Sequence, residues 1–131
     1  MAGNRQRGTI LVVDDNGEIR SFAKSILEIA GYTVITASDG KQGIGCYEQH
    51  RSNIVLLLTD VVMPNIGGFE LAERVLKMDS QVSVVLMSGD SSRDYQSWEY
   101  LAKPFRPTEL IETVNRVLSA NTPSTLVPNA R

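Results

Sequence analysis

Two kinds of hydrophobic pattern take turns along this chain. Short unbroken apolar runs end in polar or acidic residues, and the stretches between them carry apolar residues at helical spacing. Thr9-Ile10-Leu11-Val12-Val13 is the first run and ends at Asp14-Asp15. Ile19, Phe22, Ala23, Ile26, Leu27 and Ala30 then recur at the steps of one helix face. Asn16 suits the start of that helix and Gly31 its end. Tyr32 to Ala37 predicts a second strand. Asp39 to His50 predicts a weaker helix, because Gly43 and Gly45 each cost about 1 kcal/mol relative to alanine. Ile54-Val55-Leu56-Leu57-Leu58 is the most apolar run and ends in Thr59-Asp60. Met63 to Gly68 reads as loop, and Leu71, Ala72, Val75 and Leu76 form a third helical face. Val82 to Met87 predicts a fourth strand closing at Ser88-Gly89-Asp90, and Tyr100-Leu101-Ala102 a short fifth one closing at Lys103-Pro104. Pro107 opens a last helix whose face is Leu110, Ile111, Val114, Val117 and Leu118.

Strands that are apolar throughout, rather than at alternate positions, are buried on both faces. That predicts an α/β fold, a parallel sheet with helices on each side. In such sheets ligands meet the carboxyl ends of the strands, where the strand order reverses. The folded part is expected over residues 9–118, after a disordered lead-in (1–8) and before a flexible tail (119–131) rich in Ser, Thr, Asn and Pro. Arg5 and Arg7 read as part of a solvated lead-in.

Composition narrows the function. The 131 residues suit one domain, and a formal net charge of −2 argues against a surface built for nucleic acid. A single cysteine, Cys46, excludes an internal disulfide and a Cys-rich zinc site. No apolar run has the length of a membrane span, and the lead-in lacks an apolar signal core, so a cytoplasmic domain without membrane contact is expected.

The strand ends carry the chemistry. Asp14 and Asp15 follow the first strand, Asp60 the third, Ser88 the fourth and Lys103 the fifth. Three carboxylates gathered in one crevice repel one another and are tolerable around a divalent cation. An oxygen-only set without His or Cys suits Mg²⁺. Lys103 supplies a point charge for Asp60 or for an incoming phosphoryl group, and Ser88 a hydroxyl donor. An acidic nucleophile, a metal and two partners for phosphoryl oxygens are what phosphorylation of an aspartate requires. Read singly, each residue has a plainer role: Asp14 and Asp15 as solvated acids at a helix start, Ser88 as a turn residue, Tyr100 and Trp98 as packing, His50 as a solvated helix end.

Taken in order, Ile10-Leu11-Val12-Val13-Asp14-Asp15, Leu58-Thr59-Asp60-Val61-Val62-Met63-Pro64, Gly68-Phe69-Glu70-Leu71, Met87-Ser88-Gly89 and Lys103-Pro104-Phe105 resemble the receiver domain of two-component response regulators. The resemblance implies a flavodoxin-like, doubly wound, five-stranded parallel sheet of order 2-1-3-4-5. It implies that Asp60 is the phosphoacceptor. It further implies Mg²⁺ held by Asp15, Asp60 and the backbone carbonyl of Val62, with Asp14 acting through metal-bound water. Ser88 and Lys103 would meet the phosphoryl group, the Lys103–Pro104 bond would be cis, and Ser88 with Tyr100 would form the switch. The implied partner is a sensor histidine kinase or a histidine phosphotransfer protein. Self-phosphorylation from small donors and autodephosphorylation would be the domain's own chemistry. The Met87-Ser88-Gly89 and Lys103-Pro104-Phe105 stretches are similar to C-terminal receivers of hybrid sensor histidine kinases; a stand-alone regulator is the other origin left open.

Three features depart from that family. Gly67 stands where a helix-capping Asp is usual. Val62 and Asp90, two positions after Asp60 and Ser88, occupy sites through which members tune dephosphorylation. Only fifteen positions separate Ser88 from Lys103, too few for the usual helix there, so the fourth helix is expected to be short or missing and the dimer face it normally builds incomplete. Two rival functions deserve weighing. A Mg²⁺-dependent phosphatase of haloacid-dehalogenase type places two Asp one residue apart after its first strand, whereas Asp14 and Asp15 are adjacent. A flavin-type cofactor binder needs a first loop that cradles phosphate, which Asp14-Asp15-Asn16-Gly17-Glu18 would repel.

Overall fold

A computed structural model of the chain describes residues 7–90 and 97–120. The elements run β1 (Thr9–Val13), α1 (Gly17–Ile29), β2 (Thr33–Ala37), α2 (Gly40–His50), β3 (Ile54–Asp60), α3 (Gly68–Met78), β4 (Ser83–Ser88), β5 (Glu99–Ala102) and α4 (Pro107–Ala120). The five strands pair in parallel in the order β2-β1-β3-β4-β5. Successive side chains of each strand serve opposite faces. Ile10, Val12, Leu56, Leu58, Val85 and Met87 pack with α1 and α4, while Leu11, Val13, Leu57, Val84 and Leu86 pack with α2 and α3. The strands therefore read as continuous apolar runs because both faces are covered.

Local chemistry sets the helix starts. The Asn16 side chain accepts from the backbone N–H groups of Glu18 and Ile19, and Asp39 accepts from Gln42. Gly31 adopts φ +103° just past α1, the left-handed turn that glycine permits there. Gly67 precedes α3 with no side-chain cap, as its departure from the family pattern implied. The polar stretch expected as loop or short helix between β4 and β5 falls mostly on residues 91–96, which lie outside the described residues, as do 1–6 and 121–131.

Two expectations change. Phe22, on the apolar stripe of α1, is 44% exposed; its ring lies 5.8 Å from that of Phe105 beyond the sheet's carboxyl edge. Arg7 is not merely solvated: its backbone N–H donates to the Gly31 carbonyl, and its guanidinium stands over the Tyr32 ring and donates to Asn115. At the opposite end of the sheet from the acidic residues, Tyr47 donates its buried hydroxyl to Asp79, which also receives two hydrogen bonds from Arg51. This cluster ties α2 to the end of α3.

The glycines of α2 differ sharply. A Cβ at Gly43 would lie 3.2 Å from Val13 and 3.3 Å from Leu71, whereas one at Gly45 would meet nothing within 4 Å. Gly45→Ala is therefore expected to stabilise the domain by about 0.5–1 kcal/mol. Urea unfolding should show a higher midpoint at an unchanged slope. Gly43→Ala should show no such gain.

Candidate functional site

β1, β3, β4 and β5 all deliver their carboxyl ends to one edge, and the site collects there because the strands are parallel. Asp14 follows β1 directly, Asp60 is the last residue of β3, Ser88 the last of β4, and Lys103 follows β5. Asp60 and Ser88 thus belong to the strands themselves, which run beyond the apolar stretches that end at Leu58 and Met87.

Lys103 stands between two carboxylates. Its Nζ lies 2.9 Å from Asp14 Oδ2 and 3.1 Å from Asp60 Oδ1. Asp14 is fully buried, and its other oxygen accepts the Asn16 backbone N–H at 2.8 Å. Arg20, from the first turns of α1, donates to the Asp14 backbone carbonyl at 2.7 Å. Both oxygens and the carbonyl of Asp14 are therefore occupied by protein donors, while Asp15 beside it points into solvent. Asp60 is nearly buried. Burial and the Asp14 carboxylate push the Asp60 carboxyl above the ordinary range, and Lys103 pulls only partly against them. Burial opposes the charge on Lys103, but its contacts with Asp14 and Asp60 outweigh that and hold its ammonium above the usual lysine range.

Oxygen atoms of Asp14, Asp15 and Asp60 lie within 4.8 Å of one another. Mg²⁺ takes oxygen ligands and keeps several waters, so a carboxylate whose oxygens are already engaged, as those of Asp14 are, need not touch it directly. The donor set is all oxygen and carries more negative charge than Lys103 cancels, so these residues fit that ion. Val62, the expected source of a further carbonyl, lies two residues beyond Asp60 with its side chain 74% exposed. Its neighbour Val61 anchors the loop by donating its N–H to the Met87 carbonyl at 3.0 Å.

Ser88 lies at the same edge. Its Oγ accepts the Asp90 N–H at 3.0 Å, and its carbonyl accepts both the Lys103 N–H at 2.9 Å and the Tyr100 hydroxyl at 3.2 Å. Tyr100 is half-buried against the α2–α3 side of the core. The expected switch pair is thus in direct contact through main chain, and the Lys103–Pro104 bond is cis as the resemblance implied. Trp98 packs edge-on against Phe69, and neither Cys46 nor His50 belongs to the acidic cluster.

Arg20 and the second role of Asn16 escaped the sequence. Arg20 carries no signature, since a polar residue in a first helical turn ordinarily faces water. Asn16 reads as a cap, which it is, and nothing in its identity shows that its N–H also holds Asp14.

Comparisons with known proteins agree with this geometry. A protein named probable transcriptional regulator ycf27 from Guillardia theta is 32% identical over 116 residues, covering 83% of this chain and 44% of that protein. The chain spans about half the length of the curated relatives it matches. Among solved structures, the receiver domain of the hybrid histidine kinase CckA superposes with a TM-score of 0.76 at 32% identity, over 85% of this chain and 99% of that one. The response regulator protein TrrA from Thermotoga maritima, solved in complex with Mg²⁺–BeF, gives 0.76 at 33% identity, over 84% and 98%. The sequence pattern described as the response regulator receiver domain matches residues 10–115, nearly the whole of the sheet and its helices, and the chain belongs to that family.

Proposed function

We propose that this domain is a cytoplasmic signalling switch of a two-component phosphorelay, in which Asp60 accepts a phosphoryl group from a histidine kinase or a histidine phosphotransfer protein with Mg²⁺ bound. The observation that carries the reading is the Lys103 ammonium held 3.1 Å from Asp60 inside a cluster of three carboxylates. The TrrA complex with Mg²⁺–BeF supports the same reading for a similar site.

Asp15, Asp60 and the Val62 carbonyl would hold the cation, with Asp14 reaching it through water, since both Asp14 oxygens are already engaged. A Mg²⁺ ion held there would supply positive charge to offset the carboxylates and the incoming phosphoryl group. An oxygen of Asp60 attacks phosphorus, a new O–P bond forms, and the bond to the donor's nitrogen or acyl oxygen breaks with its electron pair leaving on the donor. Lys103 exchanges its contact with Asp60 for a phosphoryl oxygen and keeps Asp14 as its anchor. Ser88 donates its hydroxyl hydrogen to another phosphoryl oxygen. Because the Ser88 carbonyl also receives the Tyr100 hydroxyl, movement of Ser88 alters the seat of Tyr100 directly.

Beside Lys103, an apolar groove of about 260 Å³ is lined by Ile19, Phe22, Pro104 and Phe105. The phosphatase alternative is disfavoured by Asp14. That chemistry needs the first carboxylate after β1 as nucleophile, and Asp14 is fully buried with both oxygens hydrogen-bonded.

Incubation with a small acyl phosphate and Mg²⁺ should add one phosphoryl mass to the wild-type protein and none to Asp60→Asn. Equal labelling of that variant would refute the assignment. Calorimetry should find Mg²⁺ affinity lowered roughly tenfold or more in Asp15→Asn, which loses a charged ligand. Without metal, the raised pKa of Asp60 means that its ionised form costs stability above that pKa, and that the cost is relieved as pH falls through it. Metal-free Asp60→Asn should therefore melt above wild type at neutral pH. The gap should narrow as the solution is acidified toward the ordinary carboxylate range.

A further inference from the structure

The loop that follows Asp60 is clamped at both ends by contacts that tolerate no side chain. At its base, an added Cβ on Gly68 would fall 2.2 Å from the Asp60 carbonyl oxygen, and the Gly68 N–H donates to the Val61 carbonyl at 2.9 Å. At its tip the clamp comes from a different crossover. Gly40, the buried first residue of α2, lies against Ile66 so closely that a Cβ there would sit 2.6 Å from the Ile66 carbonyl oxygen, 2.7 Å from its Cβ and 2.8 Å from its Cγ2. All three distances are far inside van der Waals contact. Between the clamps the chain has little slack. Pro64 has a fixed φ, and Asn65 makes a left-handed turn at φ +67°, which asparagine enters more readily than most residues with a side chain.

Gly40 is itself poorly placed to yield. Asp39 caps α2 through the Gln42 N–H at 2.8 Å, and its carbonyl accepts the Gly43 N–H at 2.9 Å. Gly43 in turn packs tightly on Val13 and Leu71. A methyl group added at Gly40 therefore displaces Ile66 more readily than it displaces the helix. With the base fixed at Val61 and Gly68, that displacement passes back along the loop to Val62.

We propose that Gly40 is a positioning residue of the acidic site: by leaving room for Ile66 it sets the loop that presents the Val62 carbonyl beside Asp60. The inference rests on the reading of that site as a Mg²⁺ site. It concerns a residue that lies on no strand end and touches none of the acidic side chains.

The test compares three alanine substitutions in one helix by Mg²⁺ titration calorimetry, metal-free melting, and metal-free amide spectra of residues 61–67. Gly40→Ala should weaken Mg²⁺ binding about tenfold, in the range found when groups supporting a metal site are altered, and should shift the Val62 and Ile66 amides before any metal is added. Gly43→Ala, which strains the core instead, should lower the melting temperature while leaving Mg²⁺ affinity within about twofold of wild type. Gly45→Ala should leave affinity unchanged. Unaltered Mg²⁺ affinity in Gly40→Ala overturns the proposal, as does an equal loss in Gly43→Ala, which would make the effect one of stability alone. Should Gly40→Ala not fold, Ile66→Gly loosens the same contact from the loop side; weaker Mg²⁺ binding there supports the proposal and unchanged binding overturns it. Failure of the wild-type protein to bind Mg²⁺ would instead refute the reading of the site itself.

Discussion

Three carboxylates from two strand ends share one crevice with a single ammonium group, and the rest of the structure accommodates that imbalance of charge. Lys103 satisfies Asp14 and Asp60 together, yet Asp60 remains harder to ionise than an ordinary carboxylate because burial and Asp14 outweigh the lysine. The remaining negative charge is what makes the crevice a fit for a cation. It also explains why Asp14 is so heavily engaged by protein donors. A buried carboxylate with both oxygens hydrogen-bonded is tolerable in a way that a bare one is not. The strain of gathering these charges falls on the fold itself, the usual trade at functional sites.

The parallel sheet makes this arrangement possible. Residues far apart in sequence reach one edge because every strand runs the same way, and the helices that return the chain pack on the two faces without crossing that edge. Core and site are consequently divided along each strand. In β3 the apolar residues Leu56, Leu57 and Leu58 are fully buried in the middle of the sheet, and the same strand ends in Asp60 at its rim. The tight packing of the first part limits the freedom of the second, which lets a carboxylate be held within hydrogen-bonding distance of a lysine from another strand.

Much of this was legible in the sequence, for definite reasons. A strand covered on both faces leaves an unbroken apolar run, so Ile54 to Leu58 could be located and Asp60 placed at an edge. Asn16 announced the start of its helix by its capping oxygen, and Gly67 announced a helix without one. Other features left no such trace. Helical periodicity identified the face that holds Phe22 but not that this residue stays 44% exposed, with its ring against that of Phe105 at the border of the core. Lys103 could be set opposite Asp60, but its closer contact with Asp14 depends on side-chain reach, which a pattern does not contain. Nothing in the pattern singled out Gly40, because its close approach to Ile66 joins two different crossovers.

Lys103 completes the crevice from the end of the last strand to be made, and that order matters to the newborn chain. During synthesis all three acidic residues leave the ribosome before the one lysine that compensates them. At about 5–20 residues per second the interval between Asp60 and Lys103 is on the order of seconds. Over that interval β1 and β3 can pair, but their carboxyl ends carry unrelieved repulsion. The sheet is complete only when β5 docks on β4, and the same event delivers the ammonium group. A nascent or clipped chain lacking its final strand therefore lacks the residue that makes the acidic crevice tenable, so relief of the crevice arrives together with completion of the sheet.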